Sequence, residues 1–305
     1  MRLRTAPVLG VLLCAACAVA TLAGQSGTAV DRDRLMREVA TLAAPAMEGR
    51  RAGTAGGMKA RAWLVERFGE IGLTPAGTSG YLQPFTAVGR NGRAAAANVI
   101  GRVAGTDPRA RTIVVTAHYD HDGIRGGALY HGADDNASGV VVLLAAARHF
   151  SMQRPRHPIV FAALDAEEMG QRGAAALLES GLIPRDAIAL NVNLDMLSRS
   201  DRNEIYAAGT SHHPWIRPIV EEAARPSKVT VRFGHDTGGG ADDWTTQSDH
   251  GEFHKAGLPW VYFGVENHPD YHQPTDTADK INVTFFGDVA DMIVAALRTF
   301  DARIP

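Results

Sequence analysis

The residues of this chain best suited to chemistry are histidines and carboxylates that follow apolar runs. His118-Tyr119-Asp120 closes the run 112–117, and Asp165-Ala166-Glu167-Glu168 follows 158–164. Asp195 follows 188–194, and Asn267-His268-Pro269-Asp270-Tyr271-His272 follows 259–264. Gly132-Ala133-Asp134-Asp135-Asn136-Ala137-Ser138-Gly139 opens an apolar helical stretch. Imidazole and carboxylate together suit zinc and similar borderline ions without any thiolate. Two histidines and three carboxylates exceed what one tetrahedral ion with an open position takes. They fit two ions roughly 3.5–4 Å apart that share one carboxylate, each adding a His and a carboxylate, with an acidified water between them. In the extended segment His118-x-Asp120 both side chains point the same way, so Asp120 is expected to accept the second imidazole N–H of His118. Glu167 and Glu168 are adjacent and diverge, so one suits a metal and the other a general base. Spacing leaves open whether Asp134 or Asp135 bridges and whether His268 or His272 ligates.

These groups need elements that carry them to one place. Strand-like runs at 98–103, 112–117, 158–164, 188–194, 229–233 and 259–264 alternate with helical segments. The helical spacing covers 32–44, 58–71, 139–150, 173–181, 214–224 and 283–300. Alternation of this kind predicts an α/β fold, a three-layer αβα sandwich around a mainly parallel sheet. In such sheets ligand sites lie beyond the carboxyl ends of the strands, where all the groups above are expected. Residues 49–57 and 234–247 read as Gly-rich loops, the second a candidate wall of the site. His121 and His131 border the loop after His118 and are expected at the site mouth. His149, His157, His212, His213, His235 and His254 read as packing or surface residues. With no break in composition, residues 31–305 read as one catalytic domain.

Composition narrows the function classes. Lys and Arg total 31 against 33 Asp and Glu, a balance that excludes a dedicated nucleic-acid binder. The only cysteines, Cys14 and Cys17, leave the body without a thiol nucleophile, a disulfide scaffold or a Cys-type zinc site. Arg2 and Arg4 precede an apolar run, 6–23, that ends in small residues, the pattern of a signal peptide over residues 1–24. The body is therefore expected to be exported, periplasmic or secreted, and off the membrane once the signal is cleaved. An uncleaved anchor or a lipid on Cys17 is the alternative.

At these residues the chain resembles the aminopeptidase Y-type family of co-catalytic zinc exopeptidases. The motifs that carry the resemblance are Ala117-His118-Tyr119-Asp120-His121, Gly132 to Gly139, Ala166-Glu167-Glu168-Met169-Gly170, Asn193-Leu194-Asp195-Met196, Ser248-Asp249-His250 and Tyr271-His272-Gln273-Pro274-Thr275-Asp276-Thr277. The resemblance implies two zinc ions per chain, one on His118 and Asp195, the other on Glu168 and His272, with Asp135 bridging. It implies Glu167 as general base, Asp120 as the partner of His118, peptides as substrates and a cis peptide before Asn136. Some members carry a Tyr shortly before Ser-Asp-His; here Trp244-Thr245-Thr246-Gln247 occupies that stretch, so the resemblance assigns no oxyanion donor. The reading that follows is a secreted aminopeptidase. The alternatives are a glutaminyl cyclase-like transferase with one zinc, a carboxypeptidase of the same fold and a non-enzymatic binding domain.

Overall fold

A computed structural model describes residues 30–305 apart from 90, 91 and 241; the expected signal at 1–24 lies outside the described residues. Helices α1 (Arg32–Leu42) and α2 (Ala55–Ile71) lead into strands β1 (Thr74–Pro75), β2 (Leu82–Gly89), β3 (Gly92–Val103) and β4 (Thr112–His118). A small hairpin, β5 (Ile124–Arg125) and β6 (Ala128–Leu129), precedes α3 (Gly139–Met152) and β7 (Ile159–Leu164). Next come α4 (Arg172–Glu179), β8 (Ile188–Leu194), β9 (Glu204–Ala208), α5 (Ile216–Ala224) and β10 (Thr230–Phe233). The described chain closes with α6 (His250–Lys255), β11 (Trp260–Gly264) and α7 (Val283–Arg303).

The large sheet runs β1-β3-β7-β4-β8-β11-β9-β10, with β2 paired to β3. Its centre, β7-β4-β8-β11, is parallel, as expected; β3 and β9 join it antiparallel. Side chains alternate across it. Val115, Phe161, Val192 and Phe263 face a layer built from α1, α2, α3, α5 and α7. Val114, Val160, Ala162 and Trp260 face α4 and α6. The three layers match the expected sandwich. Helix α3 is apolar on nearly every side and buried along most of its length, as a central helix between sheet and outer helices must be. No described helix is long and apolar enough to cross a membrane.

Several elements depart from expectation. Helix α2 begins at Ala55, because Thr54 Oγ1 accepts the Gly57 N–H and this cap overrides the poor propensity of Gly56 and Gly57. The strand expected at 98–103 is the second half of β3; residues 82–97 read weakly as sequence because Pro84 and the run Ala94–Ala97 lack strand character, and pairing of eight residues of β2 along β3 compensates. Strand β9 and helix α6 are too short to show a period.

The register is what assembles the site. His118 pairs with Leu164, Thr116 with Asn193 and Leu194 with Phe263. The residues just beyond these strand ends therefore meet at one edge.

Candidate metal and catalytic site

His118 ends β4 and is buried. Its Nδ1 donates to the Asp120 carbonyl at 3.2 Å. Its Nε2 faces Asp195 Oδ1 at 3.3 Å and Asp135 Oδ1 at 3.4 Å. The bond at Nδ1 sets the neutral tautomer, so a lone pair on Nε2 points at two carboxylates. That arrangement is satisfied only by a shared cation, a proton or a metal ion.

Asp120 was expected to accept the His118 imidazole N–H through its side chain. Its carboxylate lies 3.8 Å from His118 and instead accepts the backbone N–H groups of Glu167 at 2.9 Å and Glu168 at 3.3 Å. Asp120 thus orients His118 through its main chain and holds the Glu167–Glu168 turn through its side chain.

Asp134 and Asp135 part company. Asp134 accepts from Ser198 N and Oγ, each at 2.7 Å, and from His268 Nε2 at 3.0 Å, so both residues serve the loop structure. Asp135 turns toward His118, and the Asp135–Asn136 peptide is cis, as the resemblance implies. Asp276 accepts the N–H groups of Asp134 at 3.0 Å and Asp135 at 3.1 Å. Burial, with Asp134 beside it, pushes the Asp276 carboxyl up to about 6.

The second donor group gathers around the other Asp135 oxygen. His272 Nε2 lies 3.0 Å from Asp135 Oδ2 and 3.6 Å from Glu168 Oε1. His121 Nδ1 donates to Glu168 Oε1 at 2.9 Å and lies 3.7 Å from Asp135 Oδ2. His121, expected at the mouth, is fully buried behind Glu168, and its Nε2 has no partner. Two clusters therefore have donor atoms close enough for one ion each, His118-Asp135-Asp195 and His121-Asp135-Glu168; His272 adjoins the second from its exposed side. The imidazole–carboxylate chemistry of both fits a divalent metal. His131 donates to the Ala43 carbonyl and takes no part.

A cavity of about 250 Å³ opens over the centre, lined by His118, Asp135, Glu167, Glu168, Asp195 and His272, with Trp244, Gln247, Tyr262 and Tyr271 as walls. Trp244 and Gln247 thus bring the end of the 234–247 segment to the wall. Tyr262 OH donates to the Asp195 carbonyl at 3.2 Å. Burial, opposed by His118 and aided by Asp249 and Glu168, holds the Glu167 carboxyl well above its usual range.

Sequence reasoning gave no separate role to three supporting residues. Arg50 is fully buried and donates to the carbonyls of Leu42, Tyr119, His131 and Gly132. Asp165, at the end of β7, accepts from Tyr119 OH at 2.7 Å and Arg61 at 3.0 Å. Asp249 is buried with neither oxygen partnered, and burial, opposed by His118 and aided by Asp195, raises its carboxyl to about 7. For Asp249 the motif Ser248-Asp249-His250 was the available signal; Arg50 had none.

The fold and the two donor groups define a hydrolase-type metal site at the edge of an α/β sheet. The chain belongs to peptidase family M28, whose sequence pattern matches residues 98–297. Aminopeptidase YwaD of Bacillus subtilis is 30% identical over 201 residues, which cover 61% of this chain and 40% of that protein. The chain spans about half the length of the curated relatives it matches. Among solved structures, a Zn-dependent exopeptidase from Parabacteroides distasonis superposes with a TM-score of 0.72 at 18% identity, over 90% of this chain and 99% of that one. A glutaminyl cyclase from Bacteroides thetaiotaomicron does so at 0.69 and 18%, over 88% and 98%. At such identities the likeness is one of fold.

Proposed function

We propose that this chain is an exported zinc-dependent exopeptidase, an aminopeptidase acting on peptides, with residues 1–24 its signal and 31–305 its catalytic domain. The observation that carries the reading is the pair of donor groups that share Asp135. In it, His118 and Asp195 would hold one zinc, Glu168 and the adjoining His272 the other, and Asp135 would serve both. When bound, such ions acidify a water and polarise the scissile carbonyl. Glu167 lines the same cavity and accepts the proton of the attacking water, then returns it to the leaving amine. Its burial supports this role, since a desolvated carboxylate is a stronger base. Asp120 holds the Glu167–Glu168 turn at the geometry that separates base from ligand. His121 braces Glu168 from the buried side. Trp244, Tyr262 and Tyr271 narrow the cavity, which suits a chain end better than a continuous strand. The names of the relatives support zinc and aminopeptidase activity. A glutaminyl cyclase shares the fold, but a one-zinc site needs only one of the two donor groups, and both are complete here.

The test is a panel of short peptides with free or blocked ends, incubated with zinc-loaded protein. Hydrolysis is expected to require a free amino end, to survive amidation of the carboxyl end and to stop on chelation. Cleavage that depends on a free carboxyl end and tolerates N-acetylation would make the protein a carboxypeptidase instead.

A further inference from the structure

A second cavity, about 520 Å³, adjoins the metal centre and shares Glu168 and Gly170 with it. Four arginines line it: Arg51, Arg93, Arg125 and Arg172. They arrive from separate elements, Arg51 ahead of α2, Arg93 in β3, Arg125 in β5 and Arg172 in α4. The carboxylates of the same cavity have partners, Asp122 through its Oδ1 alone. Asp120 accepts the Glu167 and Glu168 N–H groups, Asp122 pairs with Arg125 at 2.7 Å, and Glu168 accepts from His121. Among the described residues, none of Arg51, Arg93 and Arg172 has a carboxylate partner; Arg172 Nε donates to the Met169 carbonyl at 3.3 Å. Guanidinium groups gathered in a concavity raise the local concentration of anions, and their planar fork matches a carboxylate in two-point contact.

We propose that this cavity is a carboxylate-binding subsite, and that the favoured substrates carry an acidic group beside the scissile bond, either the α-carboxylate of a short peptide or an Asp or Glu side chain. The proposal rests on the peptidase reading and specifies its substrate class. The volume exceeds that of a carboxylate alone and accommodates the side chain or chain end that bears one. Contact with Glu168 places the bound anion next to the reacting centre, where its binding energy contributes to positioning the scissile bond.

The experiment uses zinc-loaded full-length protein and three matched pairs: dipeptide acid against dipeptide amide, Leu-Glu-amide against Leu-Gln-amide, and glutamyl-anilide against glutaminyl-anilide. In at least one pair the acid is expected to have a kcat/KM about tenfold or more above its neutral partner, the size of one charge-assisted contact. The pair that responds identifies the source of the carboxylate. In the triple variant Arg51→Gln/Arg93→Gln/Arg172→Gln the ratio is expected to fall to about twofold or less, and lysines at the same positions to restore part of it. Equal rates within all three pairs, or a preference that persists in the triple variant, overturn the subsite. If no pair is hydrolysed, the peptidase reading fails separately, and calorimetric titration of the same peptides decides the subsite. Tighter binding of an acid that needs the arginines upholds it, and equal binding of acid and amide overturns it.

Discussion

Burial alone would hold His272 neutral, but Asp135, hydrogen-bonded to it, and Glu168 outweigh burial and raise its pKa to about 9 in the metal-free protein. Near neutral pH the imidazole therefore carries a proton that a divalent ion must displace, since only the neutral ring ligates. Zinc titrated by calorimetry in buffers of different ionisation enthalpy is expected to release this proton between about pH 7 and 9, with apparent affinity rising up to about tenfold per pH unit. Affinity without pH dependence over that window would remove His272 from the ligand set. For the metal-free protein the sign is opposite. The imidazolium contacts contribute fully below the ordinary value of 6.5 and are lost as pH rises through about 9. At this scale the sequence was informative where a residue type follows a strand end, which marked His118, the Glu167–Glu168 pair, Asp195 and the His268–His272 segment, and only the resemblance chose within the pair and the segment. It was silent where neighbours compete. Asp134 and Asp135 are separated by contacts to Ser198 and His268, far along the chain, and His121 is distinguished from a mouth residue only by packing behind Glu168.

Gly132 shows how an element places these residues. It sits at φ +58, where L side chains are strained, and a Cβ there would collide with the Asp135 carbonyl and stand 2.6 Å from the His121 ring. Gly132→Ala is expected to cost about 2 kcal/mol or more and to weaken metal binding, read by urea denaturation and by zinc titration. Wild-type zinc affinity in a stable variant would contradict the claim that this turn sets Asp135 and His121. The central strands were legible because they are continuous apolar runs buried on both faces. Strand β2, the first half of β3, β9 and α6 were not, because tertiary pairing rather than local preference holds them.

Over the whole molecule, Arg50 ties the end of α1, the segment after β4 and the turn before Asp135 through its four carbonyl acceptors. Burial lowers its pKa to about 10, so it stays charged at neutral pH, with Asp135 and Asp276 supporting the charge. Arg50→Met leaves those carbonyls without a donor and is expected to destabilise by ~3 kcal/mol or more, measured as a fall in the urea midpoint. A change under about 0.5 kcal/mol, the range of ordinary surface substitutions, would contradict its bracing role. The layered α/β architecture was readable from alternation alone, whereas this brace was not, since a lone Arg carries no periodic signal. The central claim joins fold and site: the sheet edge presents shared metal ligands with Glu167 as the base. Its most direct test is the rate of leucyl-anilide hydrolysis by wild type and Glu167→Gln at equal, measured zinc content. The expected result is unchanged zinc loading with a kcat lower by roughly 10²–10⁴-fold. A variant that keeps its zinc and stays within a few-fold of the wild-type rate would contradict it.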